Sequence, residues 1–344
     1  MSFLNPFAGS GFDVISMTMA INRIPDVARY IGFLERMGIF TPYPITTVNF
    51  AAEEYAEKLN LLVSQPRGGV APKNETGKAK LRDFRVPHFP LEDVIKPDEI
   101  QGVRAFGTEN QVTTAEAVMS KKLAQIRKKH DLTKEWMRMH CLKGIVLDGD
   151  GSTLLNLFQE FQITAPSVID FALQDNATDV NAKVRSVINY IEDNLLGDVY
   201  TGILGLCSRT FYDAFIGHPT VREAYTYFST PQPLSADVSK NFTFAGVTFI
   251  PFNANTTSPD GTVRKFVTDH SVHFIPQGTQ NTFVEVNAPA DFMETVNTPG
   301  LPFYAKQEPM KYNRGIEVHT QMNYLPFCAR PELLIRGKRN TADA

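Results

Sequence analysis

Cys207 and Ser208 are the residues of this chain best placed for nucleophilic chemistry. They stand where an apolar strand-like run, Thr201 to Cys207, meets a helical pattern, and a nucleophile at such a turn gains exposure and nearby backbone donors. The preceding Gly202-Ile203-Leu204-Gly205-Leu206 is not an elbow pattern, and no orienting base stands at motif spacing. A buried structural cysteine is the simpler reading, and a hydrolase built on Cys207, Ser208 and His218 is kept as its rival. His270 and His273 flank strand-type neighbours but do not alternate onto one face, and no third metal ligand stands at motif spacing. Asp148-Gly149-Asp150-Gly151 offers oxygen ligands for a hard cation, yet it lacks the third ligand position and the distal glutamate of a calcium loop, so it reads as a hairpin turn. Neither phosphate-cradling glycine motif occurs, and His-Glu-x-x-His is absent. Carboxylate pairs such as Asp291 and Glu294 are ordinary surface features. These residues predict no catalytic site, no cofactor and no metal.

The elements around these residues point elsewhere. From Thr46 to Gly107 the chain reads as a long two-stranded arm. Val48 and Phe50 alternate with polar residues, Leu59, Leu61 and Val63 recur at every second position, and Leu81 to Val86 alternates on the way back. The tip between them, Gln65 to Pro72, is rich in turn formers. Each limb spans roughly 60 Å if extended at about 3.3 Å per residue. A lone two-stranded ribbon is marginal in water, so the arm is expected to lie on another copy of the chain. Arg67, Lys73, Lys78, Lys80, Arg82 and Arg85 outnumber Glu75 and Asp83 near the tip. They read either as a solvated loop or as a contact for an acidic patch on a neighbour, with Gly68 and Gly69 letting the tip turn.

Composition is compatible with a folded assembly subunit. The 344 residues are 43% hydrophobic and 21% charged, with a net charge of −3, which disfavours a general nucleic-acid binder. No apolar run approaches the roughly 18 residues of a membrane span, and no secretory signal is visible at the N-terminus. Cys141, Cys207 and Cys328 are odd in number and far apart, as expected of reduced thiols in a cytoplasmic setting. The 25 phenylalanines against one tryptophan predict apolar packing over many surfaces.

Residues 1–44 read as an extended strap with one amphipathic helix over Asp26 to Met37. Thr113 to Glu116 fits a capping box that opens a long helix, with Asp131-Leu132-Thr133 as either continuation or kink and a stop at Gly144. Trp136, on this helix, is expected in the core. A hairpin follows, with Leu154 to Ile163 as its return strand. Helices are expected over Asp179 to Leu195 and over Arg209 to Phe228, the latter interrupted at Gly217-His218-Pro219. Short strands dominate from Phe242 onward. This order predicts an α+β fold with a middle block inserted into a sheet completed by its flanks.

With these motifs laid out, the chain resembles the lambda-like tailed-phage major capsid proteins, the major capsid protein E family. The resemblance rests on Arg67-Gly68-Gly69, Val86-Pro87-His88-Phe89-Pro90, Asp98 to Gly107, and His130-Asp131-Leu132-Thr133. It continues through Leu142-Lys143-Gly144, Leu147 to Gly151, Leu206-Cys207-Ser208 and His218-Pro219. Pro289-Ala290-Asp291, Glu294 to Thr298, Gly300 to Lys306 and Cys328-Ala329-Arg330-Pro331 complete it. The resemblance implies a Hong Kong 97-type capsid fold. Its parts would be an N-terminal arm (1–44), an E-loop region (45–107), a peripheral domain with spine helix 113–143 (108–179), a mainly axial domain (180–300) and a return to the peripheral domain (301–344).

By that resemblance the chain is a non-enzymatic coat protein that self-assembles as hexamers and pentamers around double-stranded phage DNA. A non-viral compartment of the same fold is the alternative. A separate scaffolding protein, a portal and a decoration protein are the implied partners, since the segment before the arm is too short for a scaffolding extension. The virion capsid, assembled in the bacterial cytoplasm, is the implied location. Lys73, Lys78 and Lys80 stand near the tip, where some relatives of this fold crosslink through lysine, although members resembling this chain are not known for it.

Overall fold

The computed structural model describes residues 14–22, 31–54, 80–100, 115–195, 198–228, 241–280 and 282–340. Two sheets and two apolar cores organise them.

The first sheet is built on one long strand, Ile316–Cys328, of which all but two residues are buried. Residues Ile316 to Gln321 pair antiparallel with both His88–Ile95 and Tyr304–Pro309. A strand has only two edges, so these neighbours flank it. Tyr324 to Cys328 pair with Phe283–Asn287, which Thr41–Pro44 joins in parallel. The arm therefore leaves and re-enters the body in the same sheet.

The spine helix, Ala115–Cys141, packs against this sheet and runs 27 residues unbroken, about 40 Å at 1.5 Å per residue. There is no kink at Asp131-Leu132-Thr133, because both polar side chains are satisfied along the helix. Arg127 Nε donates to Asp131 at 2.7 Å, and the Thr133 hydroxyl donates to the Lys129 carbonyl at 3.0 Å. Thr113 and Thr114 of the expected capping box lie outside the described residues. The helix stops before Gly144, whose φ of 85° suits glycine and where a Cβ would meet the Phe158 ring at 2.2 Å. Trp136 is buried in the first core, as expected.

The second sheet runs Ile169–Asp170, Ile335–Lys338, Ser271–Gln277, Gly202–Cys207, Val247–Pro251, Phe242–Phe244. Its strands alternate between two cores, which explains their near-continuous apolar runs. Ile203, Phe249, Val272 and Phe274 pack with the helices Val180–Asn194 and Arg209–Gly217. Leu204, Leu206, Ile250 and Ile275 belong to the first core. Asp179 caps the first of these helices, accepting from Ala182 N at 3.1 Å, and Val180, Val184, Val187 and Ile191 form its buried stripe. The expected break separates Arg209–Gly217 from Pro219–Phe228, with His218 extended because a proline follows it.

Four segments differ from the sequence reading. Val14–Asn22 is a helix rather than an extended strap, docked on Tyr304–Pro309 with Ala305 N donating to Thr18 Oγ1 at 3.2 Å. Of the helix expected over Asp26 to Met37, the described part is helical only at Phe33–Arg36, after Gly32 at φ 68°. The hairpin's return strand is only Thr153–Asn156. Helix Leu157–Phe161 replaces its remainder, with the Asn156 side chain accepting from Gln159 N and Gln162 left-handed at φ 57°. Ile335–Lys338 pairs with Ser271–Gln277 in the second sheet, so residues 301–340 do not all return to the first.

Candidate assembly surface

The stem of the arm is an antiparallel ribbon, Asn49–Glu54 against Lys80–Arg85, in register from Asn49 opposite Arg85 to Glu54 opposite Lys80. Its inward face is aromatic. Phe50 and Phe84 stack across the ribbon, and both meet Phe327, at centroid distances of 5.3 and 5.1 Å. Phe161 closes the cluster 5.9 Å from Phe327. The Arg82 guanidinium lies 5.0 Å over the Phe161 ring and donates to the Glu160 carbonyl. Leu81, on the face opposite Phe84, is exposed at 64%, and Val48, just before the ribbon at the groove below it, at 56%. The ribbon is thus clamped to its own subunit at the root and bare on its other side.

Arg67, Gly68, Gly69, Lys73 and Lys78 lie outside the described residues, as does the side chain of Lys80, whose backbone pairs with Glu54. Arg82 is turned onto its own body. Arg85 is exposed at the lip of a groove of about 760 Å³ at the stem's foot. That groove is framed by Val86 and Pro87, by Leu154 and Leu155 of the hairpin, and by Ala288 to Asp291. His88 holds one wall, with Nδ1 2.7 Å from Asn323 Oδ1.

A buried ionic network fastens the chain just before the stem. Arg138 of the spine helix donates from Nη2 to Glu285 at 2.7 Å and to Glu35 at 2.9 Å, and from Nε to the Tyr324 hydroxyl at 3.2 Å. Glu135 lies 3.4 Å from Arg138 and accepts from Leu34 N at 2.7 Å. Lys134 approaches Glu285 at 3.6 Å. Burial pushes the Glu135 carboxyl up to about 7 against the pull of Arg138. Burial also presses on Glu35, but Lys134 and Arg138 prevail and hold it below the usual carboxylate range. Nothing in the sequence marks this network, because Lys134, Glu135 and Arg138 look like a solvated helix face.

The nucleophile candidates are structural. Cys207 is fully buried, its thiol pushed well up by burial and directed at the Gly205 carbonyl, 3.3 Å away. Ser208 caps the next helix, its hydroxyl oxygen accepting from Phe211 N and Ser271 N, each at 3.2 Å. His218 is turned to the Asp175 carbonyl, 3.0 Å from Nε2. Asp148 and Asp150 turn back on the hairpin, accepting from Gly149 N and Ser152 N at 2.6 and 2.7 Å. Among the described residues no group of three or more His, Cys, Asp or Glu side chains is arranged to hold a metal ion, and no helix is long and apolar enough to cross a membrane.

Reactive side chains spent on structure agree with the comparisons to known proteins. The family model described as phage major capsid protein E matches residues 13–339. The chain belongs to that family. It is 30% identical to the major capsid protein of Pseudomonas phage KPP10, covering 97% of this chain and 98% of that one. It is 29% identical to the major capsid protein of Salmonella phage Felix O1, covering 95% and 96%. Among solved structures it is similar to a capsid protein of an E. coli CFT073 prophage, at TM-score 0.54 and 13% identity over 93% of this chain and 96% of that one. It is also similar to the capsid of cyanophage P-SCSP1u, at TM-score 0.51 and 11% identity over 92% and 90%. At such identities these structures show the fold alone, which is Hong Kong 97-type and α+β. The chain is a major capsid protein of the tailed-phage kind, a structural subunit rather than an enzyme.

Proposed function

We propose that this capsid protein closes its icosahedral shell, as hexamers and pentamers, by laying its arm across a neighbouring subunit. The stem carries the reading. It is clamped at the root by Phe50, Phe84, Phe161 and Phe327 and exposes Leu81 on the other side. A bare ribbon of this kind is stabilised by a second surface, and a symmetric neighbour supplies one at every position of a shell. Arg67, Lys73, Lys78, Lys80 and Arg85, with Gly68 and Gly69 as turning points, are the proposed contacts with acidic groups next door, while Arg82 is spent on Phe161 and the Glu160 carbonyl of its own subunit. Residues 1–44, 45–107, 108–179, 180–300 and 301–344 are the proposed arm, E-loop, peripheral, axial and returning segments, with Ile335–Lys338 reassigned to the axial sheet. Scaffolding, portal and decoration proteins, an enclosed double-stranded DNA genome held without sequence-specific contacts, and assembly in the bacterial cytoplasm belong to the same proposal.

Deleting residues 66–80 tests it. Electron microscopy of the variant, expressed with and without its scaffolding partner, is expected to show no closed shells, while circular dichroism shows an intact fold. Normal shells from the deletion would refute the arm's role.

A further inference from the structure

We infer that the concave junction between the end of the spine helix and the second sheet is a binding site for a phosphate-class oxyanion. This pocket of about 690 Å³ is lined by four cationic side chains, Lys143, Arg264, Lys265 and Arg336, and by a single acidic one, Asp269. Two of the cations are committed. Lys265 pairs with Asp269, and Arg264 pairs with Asp260 at 3.6 Å while donating to the Asp150 carbonyl at 2.7 Å. Among the described residues, Lys143 and Arg336 have no ion-pair partner. A chain with 37 acidic and 34 basic residues does not lack carboxylates to place there. Like charges gathered in a recess repel each other unless a counter-charge joins them. Burial and the Arg336 charge together push the Lys143 ammonium down to about 8, so it is mostly charged at neutral pH, and a bound anion would keep it charged at mildly basic pH as well.

A second observation is independent of charge. Six buried side-chain nitrogens or oxygens among the described residues lack a hydrogen-bond partner, and three of them gather here: Arg336 Nε, His273 Nε2 and His270 Nδ1. His273, 4% exposed, sits opposite Arg336 in the strand register, so their side chains stand on one face of the sheet. It also feels the charges of Lys143 and Arg336. Guanidinium and ammonium groups are donors only, and an imidazole donates from one nitrogen or both. Lys143 and Arg336 are therefore donors only, and each unpartnered imidazole nitrogen donates in one of its two tautomers. A tetrahedral oxyanion supplies acceptor oxygens in several directions along with the missing charge, and arginine matches its geometry. A metal cation would be repelled, and a neutral ligand would leave Lys143 and Arg336 unneutralised.

Bound there, the anion joins Lys143, just beyond the spine helix, to Arg336 of the C-terminal strand across the boundary of the two cores. Inorganic phosphate and the phosphodiesters of enclosed DNA share this chemistry, the second source resting on the shell reading above. The full-length unassembled chain, purified without phosphate, would be titrated by calorimetry with inorganic phosphate and separately with a short DNA duplex. Saturable binding of about one phosphate per chain is expected, with competition by sulfate. Removing one charged donor is expected to weaken it about tenfold or more in Arg336→Gln. Lys143→Gln provides a second test should the first variant fold poorly, and Lys311→Gln, at an exposed hairpin tip, should leave binding unchanged. Binding of phosphate assigns the site to the free ion, and binding of the duplex alone assigns it to enclosed DNA, provided that Arg336→Gln or Lys143→Gln weakens it. No binding of either probe, or binding indifferent to both substitutions, overturns the inference. Neither result bears on shell formation, which is read separately by microscopy.

Discussion

Arg138→Met is the sharpest probe of how the arm is held to the body. The arginine is 1% exposed and serves Glu285, Glu35, Glu135 and the Tyr324 hydroxyl at once. Methionine has a similar reach, so the change removes charge and donors without leaving a large void. Glu285 would keep Lys134, 3.6 Å away, and the Tyr324 hydroxyl, which donates to it at 3.1 Å, and Glu135 only the Leu34 amide. Removing one partner of a buried ion pair costs about 3–5 kcal/mol. Glu35, half exposed on its side chain, adds little. Urea unfolding of the unassembled chain would measure the loss through Trp136, the single tryptophan, which lies on the same helix. The stranded carboxylates can be neutralised by protons, so the deficit against wild type should shrink between pH 8 and pH 5. A deficit below about 1 kcal/mol, or one independent of pH, would refute the view that Arg138 anchors this network.

Further outcomes follow from individual sites. Gly300→Ala places a Cβ 2.1 Å from the Asn287 carbonyl oxygen, in backbone that cannot step aside, and should abolish soluble expression while Gly149→Ala, with open space around it, does not. Phe327→Ala removes the floor of the stem clamp and should cost about 3–5 kcal/mol in the same urea assay. Acid should destabilise the chain through His130 and His140, whose burial depresses them from 6.5 to about 4 and about 3. Below pH 6.5 the unfolded chain binds protons there that the folded chain does not, so stability present at pH 7 falls as pH drops, by about 3 kcal/mol per histidine at pH 4. Glu135 works in the opposite sense between about 7 and 4.5, so the net curve is shallower, and His130→Gln should flatten it further.

Local chemistry was the legible part of this fold. Asp179 with its valine stripe, Gly217-His218-Pro219, and the alternation in Val48 to Phe50 and Leu81 to Val86 announce their elements because each signal is complete within a few residues. The helix Val14–Asn22 was hidden because its apolar residues make sense only against Tyr304–Pro309, far along the chain. Leu157–Phe161 reads as a strand until the Asn156 cap and the left-handed Gln162 are seen. The placement of Ile335–Lys338 depends on its partner, and strand propensity does not name partners. The ionic network joins residues more than a hundred positions apart, and no spacing rule connects Arg138 to Glu35 or Glu285. The family resemblance supplied what these local signals lack, and the solved relatives bear out the fold it implied.

The long strand Ile316–Cys328 also sets a clock for the growing chain. Thr41–Pro44 and His88–Ile95, which root the arm, reach their sheet only through Phe283–Asn287 and Ile316–Cys328. The interval from residue 95 to residue 328 is 233 residues, which a ribosome adding roughly 5–20 residues per second crosses in roughly 10–50 s. His88–Ile95 lacks its partner strand through nearly all of that interval, and Thr41–Pro44 lacks Phe283–Asn287 for most of it. A half-made subunit therefore has no fixed arm, and under the proposed role only a finished chain can offer one to a neighbour.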